Sequence, residues 1–444
     1  MHSKIIAVEK FHSTILDNDR TIYIYLPSGY EQFADVRYPV LYMQDGQHTF
    51  HADERGGSWD LHLAADRLIE EKKIRPIIIV AVSHITDARI SEYMHPLPGG
   101  EEVFGTKCHG EEYEQFLIQE VKPYIDEQFR TLKGPADTAV MGSSAGGLVS
   151  YNLGFRRPDI FGKVGALCPY FVRVEPTGEE RWLSKRYKER PPIDIWIDVG
   201  EAEGYTVMEK HVRSAVDDML EAGFEPGRNL WYYYVPGSGH TQKDWADRVH
   251  APLLMFFGEI GQPVKAELAG PDRIGLSGLS ARLNPIVTYD SGFVATDLNA
   301  SYEIGDPSVL GVSPDGKLAP LREGTTTLTY RNGELASTLT VRVVPDLSAT
   351  VNVSVHVEVP DDTPDVDILY AGIEIPKIGS NLYGGTFPVP RNMAFFFRIS
   401  RGMGKDEADR DGNEVPMRFF KAKEGLALYY RVENWIDAKG DRQP

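Results

Sequence analysis

Val140–Gly147 reads Val-Met-Gly-Ser-Ser-Ala-Gly-Gly, and Gly142–Gly146 within it fits the spacing Gly-x-Ser-x-Gly around Ser144. A short apolar run, Thr138–Met141, precedes it, and a helix-compatible stretch, Leu148–Phe155, follows. Strand, sharp turn and helix in that order lift the middle hydroxyl free at the C-terminal edge of the strand. Strand and helix cross there, so the residues two before and two after must be tiny; Gly142 and Gly146 meet that need. The start of a helix also favours negative charge beside the serine. Ser143 is the adjacent competitor but lacks the symmetric glycines.

Outward from this point, strand-like and helix-like segments alternate. Thr21–Leu26, Pro39–Met43, Ile77–Val82, Thr138–Met141, Val164–Leu167, Ile193–Val199 and Leu230–Val235 read as strands. Ile77–Val82 is a continuous β-branched run of the kind a parallel strand buried on both faces requires. Ser58–Lys72 and Tyr113–Phe129 read as helices. This alternation predicts a doubly wound α/β sheet. It stops near Phe257. Beyond it no long helix is expected. Thr325–Tyr330 and Ser337–Val343 flank Arg331-Asn332-Gly333 as a hairpin, and another strand-rich stretch begins at Thr350. The expected organisation is an α/β domain at residues 1–260, then two all-β sandwich domains at 263–345 and 346–440. On that reading residues 1–260 form an active unit. The competing reading has aromatic residues of the last module packing over the cleft mouth.

The composition narrows the function. Of 444 residues, 42% are hydrophobic and 25% charged, enough to bury a sizeable core. Lysine and arginine total 47 against 65 acidic residues, a net charge of −18, which disfavours nucleic acid and anionic lipid as partners. No apolar run is long enough to span a membrane. The two cysteines, Cys108 and Cys168, exclude a disulfide framework and a four-thiolate metal site. Two unpaired buried thiols are expected, and no metal or cofactor. The first residues lack the apolar core of a secretory signal, so the expected compartment is the cytoplasm unless a leader was removed.

A serine nucleophile needs a base. His240 lies in Val-Pro-Gly-Ser-Gly-His directly after the strand Leu230–Val235, where a loop can reach back to the turn around Ser144. His48, His51, His95 and His109 have no such position and read as structural or substrate-side. The acid belongs on the loop after the preceding strand, where Asp198, Glu201 and Glu203 are the candidates; Asp198 falls inside the strand itself. Taking Glu203 gives the chain order serine, acid, histidine of α/β hydrolases. Two backbone N–H donors must hold the developing oxyanion. Ala145 supplies one, and Gln47, in the Gln44–Gln47 loop after Pro39–Met43, the other.

Several stretches in order resemble the esterase-D and enterochelin-esterase family of α/β hydrolases. They are Arg20–Tyr30 (RTIYIYLPSGY), Tyr38–Gln47 (YPVLYMQDGQ), Arg89 with Glu92-Tyr93, Met141–Leu148, Phe155–Pro169 and Gly237–Arg248 (GSGHTQKDWADR). The resemblance covers about residues 10–258 and implies a serine ester hydrolase acting through an acyl-enzyme. It also implies an acid three residues after the strand-ending Gly200, which is Glu203, where relatives more often carry aspartate. Pro307–Tyr330 with Leu339–Val343 resembles a group 2 bacterial immunoglobulin-like domain. Phe395–Phe420 with Val432–Trp435 resembles a starch-binding-type module; Trp435 reads as scaffold there. Together these imply an esterase removing acyl groups, acetyl or feruloyl, from carbohydrate esters. The alternatives are a siderophore esterase and a non-catalytic carbohydrate-binding protein on a hydrolase scaffold.

Overall fold

The structure is a computed structural model; it describes residues 2–52, 57–103, 105–174, 179–203, 207–278, 281–402 and 405–441. The first half forms one twisted sheet. Its strands are β1 (Lys4–Ser13), β2 (Asn18–Leu26), β3 (Val40–Met43), β4 (Ile78–Val82), β5 (Thr138–Ser143), β6 (Lys163–Leu167), β7 (Asp194–Gly200) and β8 (Leu230–Val235). Their order is β1-β2-β4-β3-β5-β6-β7-β8. The strands from β3 onward run parallel, and β2 pairs antiparallel with both β1 and β4. From β3 the chain crosses to β4 on one side and later to β5 on the other. That reversal opens a crevice at the C-terminal ends of the strands, where sites of open α/β sheets lie. All seven expected strands are present within a residue or two, except that β2 begins three residues earlier. The sequence reading missed β1.

Helices cover both faces. Among them are α1 (Leu61–Glu70), α2 (Ala145–Arg156), α3 (Val207–Glu221), α4 (Gln242–Arg248) and α5 (His250–Phe257). The expected helix at Tyr113–Phe129 spans Gly110–Gln128, with a π turn at Phe116–Val121. Two separate cores result. Ile22, Ile24, Val40 and Tyr42 belong to one, while Tyr25, Leu41 and Met43 belong to the other. This is the period-two alternation of strands buried on both sides.

The sheet does not end at residue 260. Strands β9 (Pro263–Ala269), β10 (Asn284–Tyr289) and β11 (Val294–Thr296) extend it beyond β8 in the order β11-β10-β9. The junction pairs Tyr232 with Thr296, and the Tyr234 N–H donates to Thr296 Oγ1 at 3.0 Å. Phe293, fully buried, packs its ring at 5.7 Å from Trp196 and 4.9 Å from Trp231. A cut at 260 would therefore strip an aromatic lid from the core of the α/β sheet and uncover those tryptophans. This is the physical objection to residues 1–260 as a self-sufficient unit.

The rest of the chain is strand-rich, and its sheets are not closed. The expected hairpin is present as Gly324–Asn332 paired with Leu335–Leu347, inside a four-stranded sheet. Farther on, Thr350–Glu358 pairs with Leu382–Pro390 and Ala427–Arg431. Its Val351, Val353, Val355 and Val357 are all buried, and they share a core with Phe397 and Phe420. No helix among the described residues is long and apolar enough to cross a membrane.

Candidate active site

Ser144 stands between β5 and α2 with φ 57° and ψ −123°, a backbone conformation that costs a non-glycine residue strain and tends to mark function. The glycines around it are there because nothing larger fits. A Cβ on Gly142 would lie 2.6 Å from the Gly146 carbonyl oxygen, and one on Gly146 would lie 2.9 Å from Asp45 Oδ2. The turn is tied to the next strand by the Ser144 N–H donating to Leu167 O at 3.0 Å. Ala145 opens α2, so its N–H has no helical acceptor. Ser143 is buried in β5.

Gln47 sits half-buried in a short 3₁₀ turn, Gly46–His48, just after β3. This loop packs against the serine turn, with the Gln44 N–H donating to Met141 O at 2.9 Å. A buried ionic network fixes it. Arg89 holds the Asp45 carboxylate in a fork, Nε to Oδ1 at 2.7 Å and Nη2 to Oδ2 at 2.8 Å. His84 Nδ1 lies 2.7 Å from Oδ1, and the Asp45 N–H donates to the Tyr93 hydroxyl at 3.3 Å. Burial pushes the Asp45 carboxyl up, but Arg89 and His84 pull it well below the usual carboxylate range. Glu92, from the same helix as Arg89, pairs with buried Arg20 at 2.8 Å. The sequence reading picked out Arg89 and Glu92-Tyr93 as a pattern without assigning them this task.

His240 follows β8 on the turn Gly237–His240, and Thr241 then caps α4 by accepting from the Asp244 N–H at 3.2 Å. The imidazole is open to the cleft on one side and packs edge-on against Trp245, ring centres 5.0 Å apart. Burial moves its pKa down from 6.5; Glu203 works upward against that, and Arg248 and Arg89 add to the lowering.

The three acid candidates separate cleanly. Asp198 lies within β7, fully buried, accepting from Trp196 Nε1 at 2.8 Å and from Arg248 Nη2 at 2.9 Å. Glu201 is part-exposed; its Oε2 accepts from the Gly237 N–H at 3.0 Å and its Oε1 pairs with Lys421. Glu203 is fully buried. Its Oε1 accepts from Arg248 Nη2 at 2.8 Å and from Trp245 Nε1 at 3.1 Å, while its Oε2 is without a hydrogen-bond partner among the described residues. A Glu203 oxygen, a His240 ring nitrogen and the Cys168 sulfur all lie within 4.8 Å of one another. No hydrogen bond joins Glu203 to His240 among the described residues; Cys168 Sγ is 3.4 Å from His240 Nδ1 instead. Burial pushes the Glu203 carboxyl up, yet Arg248 and His240 bring it below its ordinary value. Burial drives the Cys168 thiol well above its ordinary pKa.

The sequence reading named Cys168 as a buried free thiol and quoted the Gly237–Arg248 stretch, but gave Cys168, Trp245 and Arg248 no part in the site. Arg248 reaches Asp198, Glu203 and Ser238 Oγ, the last at 2.6 Å. The available signal was their spacing: Trp245 and Arg248 fall three apart on α4, one face of the helix that follows His240. Arg248→Met leaves two buried carboxylates around an uncharged chain. The expected cost is about 3–5 kcal/mol, read as a lowered midpoint in urea denaturation.

Ser144 and His240 both wall a cavity of about 500 Å³, together with Tyr170, Val172, Ala202, Met208 and His211. Residues of the last module complete it. The family model described as "Putative esterase" matches residues 13–254, more than half of the chain. The chain belongs to that esterase family. An endo-1,4-beta-xylanase/feruloyl esterase of Xylanibacter ruminicola is 34% identical to the esterase over 157 residues. That match covers 33% of this chain and 19% of the relative, so it spans about a fifth of the relative's own length. An uncharacterised Bacillus subtilis protein, YjcH, is 24% identical over 237 residues, 51% of this chain and 92% of that one. Among solved structures, a ferulic acid esterase aligns with a TM-score of 0.42 at 20% identity, covering 58% of this chain and 99% of its own. The enterobactin esterase of Shigella flexneri aligns at 0.44 and 18% identity, covering 58% and 59%.

Proposed function

We propose that the chain is a serine carboxylic-ester hydrolase that releases acyl groups from carbohydrate esters through an acyl-enzyme. The observation that carries the reading is the meeting of Ser144, on a strained turn, with His240 in one cavity. Beside His240 lies buried Glu203, with a carboxylate oxygen within 4.8 Å of an imidazole nitrogen. In this reading His240 takes the Ser144 proton as the hydroxyl attacks the ester carbon. The tetrahedral oxyanion accepts from the Ala145 and Gln47 N–H groups. His240 then returns the proton to the leaving alcohol, and water releases the acid by the same path. Glu203 holds the imidazole's orientation and balances its charge, and Arg248 and Trp245 hold Glu203.

The xylanase/feruloyl esterase relative supports a carbohydrate ester as substrate. Against the siderophore alternative, the described residues walling the cavity include no lysine or arginine to meet an anionic iron chelate. The test offers methyl ferulate, a feruloylated xylan oligosaccharide, an acetylated one and an enterochelin-type trilactone, with products resolved by chromatography. Release of acid from the sugar esters is expected. Turnover confined to the trilactone would contradict the substrate assignment.

The pH dependence has a fixed sign. Only neutral imidazole accepts a proton, and the lowered pKa of His240 keeps it neutral to more acidic pH. The acid limb of kcat/KM is therefore expected below pH ~6.5, the ordinary imidazole value. A limb at higher pH would contradict the lowering of the His240 pKa.

A further inference from the structure

The strand-rich module at the C-terminus does not stand apart from the hydrolase cavity. Its Ala394, Phe395 and Phe396, on the strand Ala394–Phe397, line the same cavity as Ser144 with Tyr370 and Met417. Phe396 rests on the turn that carries His240: a Cβ on Gly239 would lie 3.1 Å from its ring. Its other neighbour is Phe419, at 4.7 Å, on the paired strand Arg418–Lys421. Lys421 ends that strand and pairs with Glu201, whose other oxygen holds the Gly237 N–H. One ion pair thus fastens the module to the loops bearing Glu203 and His240. The module's own core is filled by its valines with Phe397 and Phe420, whereas Phe396 is half-buried and Met417 39% exposed, at the opening.

We infer that the C-terminal module is the specificity wall of the esterase site, and that Phe396 with Met417 forms a binding face for an aromatic group of the ester. The inference rests on the esterase reading for its substrate but not for its geometry. Aromatic rings and a methionine thioether present a flat, adaptable apolar surface that a planar ring covers well and an acetyl group leaves mostly bare. Glu201 is then the anchor that keeps this wall closed over the site.

The test compares kcat/KM for methyl cinnamate and for phenyl acetate, each relative to methyl acetate, in the full chain. These two ratios read an aromatic acyl group and an aromatic alcohol separately. Phe396→Ala is expected to lower one ratio at least tenfold, and Met417→Ala about threefold. Tyr429→Ala, a solvent-exposed ring stacked on His356, should leave both unchanged. Phe396→Leu, which keeps the apolar volume, serves if the alanine variant fails to fold; it should lower the same ratio several-fold. Calorimetric binding of methyl cinnamate and phenyl acetate to Ser144→Ala, with and without Phe396→Ala, reads the wall independently of turnover. At least fivefold weaker binding of one ester is expected. Both ratios within twofold of the parent, with unchanged binding, would overturn the inference. If the parent hydrolyses no ester, the esterase reading fails while the binding measurement still decides on the wall.

Discussion

Ser144→Ala should abolish hydrolysis of short acyl p-nitrophenyl esters, with a loss in kcat on the order of 10⁶, as when a serine protease loses its nucleophile. The effect is large because the serine supplies the bond-forming atom; the remaining donors only hold the substrate. The fold should survive. Alanine and serine suffer equally at φ 57°, and the backbone bonds of the turn, Ser144 N to Leu167 O and Tyr170 N to Ser144 O, do not involve the hydroxyl. An unchanged urea midpoint and circular dichroism spectrum check that. Ser143→Ala should be far milder, because that side chain is buried within β5 rather than lining the cavity. Turnover in Ser144→Ala comparable to the parent would remove the serine from its role.

Glu203→Gln comes next in magnitude. An amide in place of the carboxylate no longer balances the imidazolium and can favour the wrong tautomer, a change worth about 10⁴ in kcat in a serine protease. Glu201→Gln should cost far less, because Glu201 faces Lys421 and Gly237 rather than the imidazole. The pH profile sharpens the distinction. Glu203 is what pulls the His240 pKa upward against burial, so its neutralisation should move the residual acid limb to still lower pH. Glu201→Gln should leave the limb in place. A crippling Glu201→Gln beside an active Glu203→Gln would reverse the assignment.

Much of this arrangement was legible in the sequence because it rests on local rules. The Ser144 turn needs tiny residues at fixed offsets, and the clashes a Cβ would meet at Gly142 and Gly146 show why the pattern is readable. Strands buried on both faces, such as Ile78–Val82, announce themselves as unbroken apolar runs. What stayed hidden depends on contacts far apart in the chain. Residues Val294–Thr296 are three residues with no strong pattern, and only their pairing with Leu230–Val235 shows that the sheet continues. The expected boundary at 260 followed the end of the strand–helix alternation near Phe257, and alternation does not register which edge strand remains open. In the sequence Arg248 is only the last residue of the Gly237–Arg248 stretch; its role between Asp198 and Glu203 appears only when two loops fold onto it. The competing reading put aromatic residues of the last stretch over the cleft mouth, but Phe396 and Met417 lie more than 150 residues beyond His240, so no spacing rule singles them out.

A fluorophosphonate reports directly on an activated serine at position 144, since it phosphonylates a serine hydroxyl only where a base assists the attack. One covalent adduct per chain is expected, located by mass spectrometry on the peptide containing Ser144, and lost in Ser144→Ala and in His240→Ala. An unlabelled parent protein, or an adduct on a different residue that persists in Ser144→Ala, would contradict it.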